Sequence, residues 1–380
     1  YTADGTLKNA VTSGDWNAFS LNKVDETDGW VNFNGDKDAW LGSAPFRVKL
    51  DGTGLEPMIK SPPKRGQDLL HSEVLSPFRA AGTHEVNFSP GGKYFMDEWS
   101  DFATAPQMVL FTGAGRPMRT VEIAQQAQKQ NRAELVKIKT PDGVTLAATV
   151  QFPPNLDPKK KYPVWLSLYG GPHMPMIRNA FGGKGGGDQA KAAQGYIVFH
   201  VDPRSASSTP HLSWTCYKQL GVQELKDIET ALQWLIDTYP AVDAKRIGIS
   251  GHSYGGYLAA YALTHSKMFA AGIAGAPPTD WRNYNTIYVE RYMTTPEENP
   301  KGYEASSVLA AAKNLHGKLL LVHGMMDDNV HLTSTIQLAD ALQKANLDFE
   351  MMLYPHARHG IGGAHVQRVQ NDFMRRVLQP

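Results

Sequence analysis

A chain of 380 residues exceeds what a single hydrophobic core comfortably supports, so two structural units are expected. Its 38 Lys and Arg against 37 Asp and Glu leave a formal net charge of +1, which gives no electrostatic footprint for nucleic acid. The single cysteine, Cys216, excludes an internal disulfide framework, and no apolar run approaches the length of a membrane span.

Residues 1 to 128 read as short strands. Alternating stretches at Trp30–Phe33, Phe46–Leu50 and Gln107–Phe111 are punctuated by Asp4-Gly5, Asp51-Gly52 and Gly113-Ala114-Gly115. Such turn signals recur roughly every 50 to 60 residues, the period of propeller blades. The basic clusters Lys60 to Arg65 and Lys159 to Lys161 stand beside prolines and read as solvated turns.

From residue 129 onward, strand and helix alternate. Thr145–Phe152, Pro163–Leu168 and Tyr196–Val201 have strand character, and Glu224 to Tyr239 is an amphipathic helix. In that helix Leu225, Ile228, Leu232, Leu235 and Ile236 keep the helical spacing and Pro240 supplies the stop. This is the pattern of an α/β fold with a mostly parallel, doubly wound sheet. Gly182 to Gly187 lacks the trailing Lys-Ser/Thr of a phosphate loop and reads as a surface loop. Thr333–Ala345 and Ala364–Leu378 supply further helices.

The strongest local signal is Gly251-His252-Ser253-Tyr254-Gly255-Gly256, between a strand at Arg246–Ser250 and a helix at Tyr257–Leu263. That context defines a nucleophile elbow: the glycines permit a sharp turn that lifts Ser253 clear of the sheet. The backbone N–H of Tyr254 and the positive helix end then face the place where an oxyanion forms. An acid belongs after the strand Lys318–Gly324, where Asp327 and Asp328 follow. A histidine belongs after Phe349–Tyr354, where His356 and His359 follow. Serine, acid and histidine thus occur in the order of an α/β-hydrolase triad, with the histidine as base and the acid fixing its tautomer. Spacing alone does not choose between the two aspartates or the two histidines. Trp281, Tyr284 and Tyr288, together with Tyr254 and Val330, form an aromatic patch near the nucleophile that suits a flat apolar ring. His323, His331 and His356 lack the His-Glu-x-x-His helix or cysteine pair of a metal site, so no metal or other cofactor is expected.

Five separated motifs carry a resemblance: Gly251 to Tyr257, His323 to His331, His359-Gly360-Ile361, Tyr169-Gly170-Gly171-Pro172, and Trp281 to Met293. Together, from about Lys137 to the C-terminus, they resemble the prolyl oligopeptidase family of serine peptidases, in its dipeptidyl peptidase IV-like branch. The resemblance implies Ser253, Asp327 and His359 as the triad, and the Tyr169 hydroxyl as an oxyanion donor beside the Tyr254 N–H. It implies a pocket for proline or alanine lined by Tyr254, Trp281, Tyr284, Tyr288 and Val330, with Asn329 binding a substrate carbonyl. His252 stands where the branch usually has tryptophan, and a packed or solvent-facing imidazole is expected there.

The family carries a β-propeller over an α/β-hydrolase domain. Residues 1 to 128 resemble the last two or so blades and residues 129 to 380 the hydrolase domain. Most of the propeller is absent and Tyr1 is no initiator methionine, so a fragment, a processed product or a trimmed form is expected. The expected activity is hydrolysis of peptides after proline or alanine through an acyl-enzyme, dipeptidyl in the complete protein. An esterase acting on small acyl esters is one alternative, and a non-catalytic remnant that pairs with a partner chain is another. Open strand edges lead to an expectation of self-association or of association with the missing propeller segment. Bacterial relatives are often exported, which implies a periplasmic or secreted location.

Overall fold

The computed structural model describes residues 1–59, 82–123, 133–182 and 189–380. Lys60 to Arg65, the glycine-rich run from 183 onward and the expected boundary at 128 and 129 lie outside the described residues. The chain divides into two compact units.

The first unit comprises Tyr1–Gln130 with Arg178–Gly183. Strands β1 (Ala18–Asp25), β2 (Trp30–Gly35), β3 (Ala44–Lys49) and β4 (Glu56–Pro57) form one antiparallel meander. Strands β5 (Thr83–Phe88), β6 (Tyr94–Ser100), β7 (Gln107–Thr112) and β8 (Pro117–Ile123) form a second. Side chains alternate as a half-covered antiparallel sheet requires: in β6, Phe95, Asp97 and Trp99 are buried while Tyr94 and Glu98 are exposed. Phe95 stacks on Phe111 at 4.9 Å in the second sheet, and Trp16 stacks on Phe33 at 5.9 Å in the first. Successive four-stranded meanders are the blade architecture of a propeller. The expected strands at Trp30, Phe46 and Gln107 fall in β2, β3 and β7, with Leu50 displaced into the following turn. The segment that returns from later in the chain is tied in by Asn179, whose N–H donates to the Leu41 carbonyl (2.8 Å) and whose Oδ1 accepts from the Phe102 N–H (3.0 Å).

The second unit, Asn131–Ile177 with Lys184–Pro380, holds one eight-stranded sheet. Its strands are β9 (Glu134–Lys139), β10 (Thr145–Gln151), β11 (Tyr162–Ser167), β12 (Ile197–Asp202), β13 (Val242–His252), β14 (Ala271–Gly275), β15 (Lys318–Gly324) and β16 (Glu350–Tyr354). Their order is β16-β15-β14-β13-β11-β12-β10-β9, parallel from β16 to β12 and antiparallel at β10 and β9. The helices are α1 (Gln189–Ala193), α2 (Pro210–Ser213), α3 (Val222–Thr238), α4 (Tyr254–His265), α5 (Thr286–Met293), α6 (Pro300–Ala305), α7 (Thr333–Lys344) and α8 (Ala364–Leu378).

Helices on both faces explain why the central strands are apolar throughout rather than alternating. Val164, Leu166, Leu319 and Leu321 pack with residues of α3, α4 and α7, while Trp165, Leu320 and Val322 pack with residues of α1 and α8. The α4 helix is buried on every side from Tyr254 to Thr264, as a helix rich in Ala, Gly and Leu permits. Tyr169, Ser253, Asp327 and His359 all lie just beyond the carboxyl ends of parallel strands β11, β13, β15 and β16, where sheets of this kind gather their ligands. The α5 helix is an addition to the sequence reading, which took Trp281 to Met293 only as an aromatic motif. Asn285 caps it, its side chain accepting from the Tyr288 N–H at 3.0 Å.

Candidate active site

The elbow is built as its sequence requires. Ser253 leaves β13 with φ 59° and ψ −121°, a strained conformation for a side chain with a Cβ. Its N–H is held by the Gly275 carbonyl at 2.8 Å and its carbonyl accepts from Tyr257 N–H at 2.9 Å, starting α4. A Cβ on Gly251 would meet the backbone of Gly255, and one on Gly255 the carbonyl of Leu168, so the turn has no room for side chains there.

The geometry separates the two aspartates and the two histidines. Asp327 is 5% exposed, and its Oδ1 accepts the N–H groups of Asn329 and Val330, each at 2.9 Å. Its Oδ2 lies 2.8 Å from His359 Nδ1. An ionised carboxylate only accepts, so Nδ1 carries the proton and Nε2 remains as the basic nitrogen. Asp328 instead faces Arg358 at 3.5 Å with both side chains largely in solvent, and His356 is exposed. Burial works against the charge of Asp327, but the His359 hydrogen bond and the two amide N–H groups outweigh it and hold the carboxyl below its ordinary range.

His323, considered in the sequence only as a metal ligand and set aside, contacts this arrangement. It is fully buried, with Nε2 2.8 Å from the Val330 carbonyl and 3.2 Å from Asp327 Oδ2. Both partners accept, so Nε2 donates and Nδ1 accepts from the Thr335 hydroxyl at 2.7 Å. Burial holds this imidazole below its ordinary pKa, against the pull of the Val330 carbonyl and Asp327.

Tyr254 begins α4, so its backbone N–H is one of the unpaired donors at that helix end. Its side chain is 2% exposed, and its hydroxyl donates to Glu224 Oε1 at 2.8 Å. Glu224, at the third position of α3, also accepts the Gly221 N–H through Oε2 at 3.0 Å. Burial pushes this carboxyl up to about 7 against the hydrogen bonds it receives. Tyr169, on the loop after β11, has its ring 6.1 Å from that of Tyr254. A Cβ on Gly171 would stand 2.6 Å from the Tyr169 ring, which is why a glycine follows at that place. Burial raises the Tyr169 phenol above its ordinary value, with Tyr284 and Tyr292 adding to the effect, so the hydroxyl keeps its proton.

The aromatic residues form one cluster. Trp281 lies 5.5 Å from Tyr254, 5.9 Å from Tyr284 and 6.0 Å from Tyr288, ring centre to ring centre, and Tyr284 meets Tyr288 edge-on at 5.6 Å. The Tyr284 hydroxyl donates to Asn329 Oδ1 at 2.6 Å, which leaves the Asn329 amide hydrogens as donors. Trp281 and Val330 are closed from solvent, whereas Tyr284 and Tyr288 are half-buried. Among the described residues no group of three or more His, Cys, Asp or Glu is arranged to hold a metal ion, and no helix is long and apolar enough to cross a membrane.

Comparison with known proteins adds to this geometry. Residues 188–379 match the model of the prolyl oligopeptidase family, and residues 1–106 match that of the dipeptidyl peptidase IV N-terminal region. A protein of Botryotinia fuckeliana described as a probable dipeptidyl-aminopeptidase B is 33% identical over 386 residues, covering 97% of this chain and 39% of the relative. One of the same description from Talaromyces marneffei is 34% identical over 367 residues, covering 92% of this chain and 38% of the relative. The crystal structure of Porphyromonas gingivalis dipeptidyl peptidase 4 superposes with a TM-score of 0.84 at 31% identity, over 100% of this chain and 52% of that one. The chain therefore spans about two fifths of the length of these curated relatives and about half of the solved one. The hydrolase-family match extends over more than half of the 380 residues, and the chain belongs to the prolyl oligopeptidase family, in its dipeptidyl peptidase IV-like branch.

Proposed function

We propose that this chain carries the catalytic machinery of a serine peptidase that cleaves after proline or alanine, with residues 129 to 380 as the hydrolase domain and 1 to 128 as propeller blades. The observation that supports the reading is the Asp327–His359 bond of 2.8 Å, in the same parallel sheet as an elbow serine after β13 whose preceding residue, His252, has its ring 4.9 Å from that of His359. Ser253 Oγ attacks the scissile carbonyl while His359 Nε2 accepts its proton. Asp327 holds the tautomer and stabilises the imidazolium. The developing oxyanion meets the Tyr254 N–H and the Tyr169 hydroxyl, donors whose individual loss typically costs about 3 kcal/mol. His359 then protonates the leaving amine, and water, activated by the same imidazole, releases the acid from Ser253.

Specificity follows from the aromatic cluster. A proline ring buries about three methylenes against the half-buried Tyr284 and Tyr288, which pack on Trp281, worth roughly 2.4 kcal/mol at about 0.8 kcal/mol each. The Asn329 amide, oriented by Tyr284, donates to the carbonyl of the preceding residue. The names of the relatives support a dipeptidyl mode for the complete protein. The elbow and oxyanion donors serve esters equally well, so the pocket must be tested separately. Turnover of a prolyl anilide is compared with that of a short-chain nitrophenyl ester. The proposal expects kcat/KM to favour the prolyl compound and to fall for its glycyl analogue; a preference for the ester, indifferent to proline, would establish the esterase instead.

A further inference from the structure

His252 occupies the place before the nucleophile where the branch usually has tryptophan, and the structure gives its imidazole a specific setting. It pairs across the sheet with Gly275 of β14, and a Cβ on Gly275 would stand 2.8 Å from His252 Nδ1. The ring therefore lies against bare backbone on that side. On another side its centroid is 4.9 Å from that of His359, the rings inclined at 54°. Its Nε2 is buried without a hydrogen-bond partner among the described residues. The titratable and charged groups that face it are His359, Asp327 and His323, while Gly275 contributes backbone alone. Asp327 Oδ2 is already shared by His359 Nδ1 at 2.8 Å and His323 Nε2 at 3.2 Å, so no carboxylate oxygen is left to neutralise a third imidazole. Burial, then the neighbouring His359 ring, favour the neutral form of His252, outweighing the pull of the His359 backbone and of Asp327.

We propose that His252 is a positioning residue coupled to His359, and that the site works only while both imidazoles are neutral. The inference rests on reading Ser253 as nucleophile and His359 as base. During attack the proton passes from Ser253 Oγ to His359 Nε2 and onward to the leaving group. His252 gains and loses nothing, and a neutral His252 leaves the imidazolium at His359 unopposed. A proton on His252 sets a second positive charge against it in a partly water-excluded place, where such repulsion is strong. Tryptophan at this position has no proton to gain, so the coupling is a property of this chain's own sequence.

The experiment measures the second-order rate of Ser253 labelling by a fluorophosphonate across pH in the full chain, and in its His252→Gln and His252→Trp variants. Below the lower of the pair's two titration steps the logarithm of the rate is expected to rise with a slope approaching about 2 in the unaltered chain, because two protons must leave, easing to about 1 between the steps, whereas both variants keep a slope of about 1 throughout the acid limb. Equal slopes in all three proteins overturn the proposal. A second readout needs no reaction: the ring resonances of His359 are followed against pH in Ser253→Ala and in Ser253→Ala/His252→Gln. Two inflections that collapse to one support the coupling, and superimposable curves refute it. Failure of the unaltered chain to label at any pH would count against the peptidase reading, while the resonances still decide the coupling.

Discussion

At the scale of single residues, the sequence left two aspartates and two histidines open, and resemblance alone chose between them. In the structure Asp327 is buried on His359 while Asp328 faces Arg358 in solvent, an arrangement that supports the proposed triad. His359→Ala is expected to cost nearly as much turnover as Ser253→Ala, about a million-fold, whereas His356→Ala retains most activity. Steady-state kinetics that rank the histidines the other way would overturn the assignment. Glu224 and His323 were not legible as site residues. Each reaches its partner through tertiary folding, Glu224 to Tyr254 and His323 to Asp327, and neither spacing nor periodicity marks such contacts. Glu224 also makes a stability prediction. Its carboxyl is raised from 4.5 to about 7 in the folded chain, so the folded state keeps a proton that the unfolded chain releases. The resulting stabilisation is complete below pH 4.5, is lost as pH rises through about 7, and amounts to about 3 kcal/mol. Glu224→Gln has no proton to lose and should therefore raise the thermal midpoint more at pH 8 than at pH 5. A shift equal at both pH values would contradict the buried-acid account.

At the scale of elements, six of the eight strands of the sheet were read, the central ones because burial on both faces makes them nearly continuous apolar runs, while β9 and β14 were not; α3 was readable because its apolar stripe is regular. The boundaries moved by a few residues, and β13 runs from Val242 to His252 rather than from Arg246 to Ser250. The α5 helix escaped because Thr286, Tyr288, Val289 and Tyr292 are indifferent helix formers, and packing against Trp281 decides the issue. This helix presents Tyr288 to the cluster while Tyr284 lies just before it. Tyr284→Ala or Tyr288→Ala should therefore weaken kcat/KM for prolyl substrates by about 1 to 3 kcal/mol and affect nitrophenyl esters less. Tyr169→Phe keeps the ring and removes the hydroxyl, so kcat should fall for both substrate classes. Three variants with the same profile on both substrates would show that pocket and oxyanion donor are not separate.

At the scale of the whole molecule, the change from short strands to alternating strand and helix was visible in composition and turn signals. Several first-unit strands, such as β1 and β5, were not, because their apolar and polar residues are interleaved with little burial and they rely on their neighbours for definition. Strand β1 lies at the edge of its sheet and exposes Phe19, Leu21 and Val24 at 51%, 66% and 43%. An apolar edge of this kind invites pairing with another chain. The isolated chain is expected to self-associate with rising concentration, and Leu21→Lys should reduce this; light scattering that shows a monomer in both would refute it. The central claim, a serine hydrolase centred on Ser253, is tested most directly by intact-mass and peptide-mapping analysis after fluorophosphonate treatment, read beside the loss of prolyl-anilide turnover. The account predicts one adduct per chain, located on Ser253, with activity lost in proportion to labelling. Undiminished hydrolysis in fully labelled protein, or an adduct located on another residue, would contradict it.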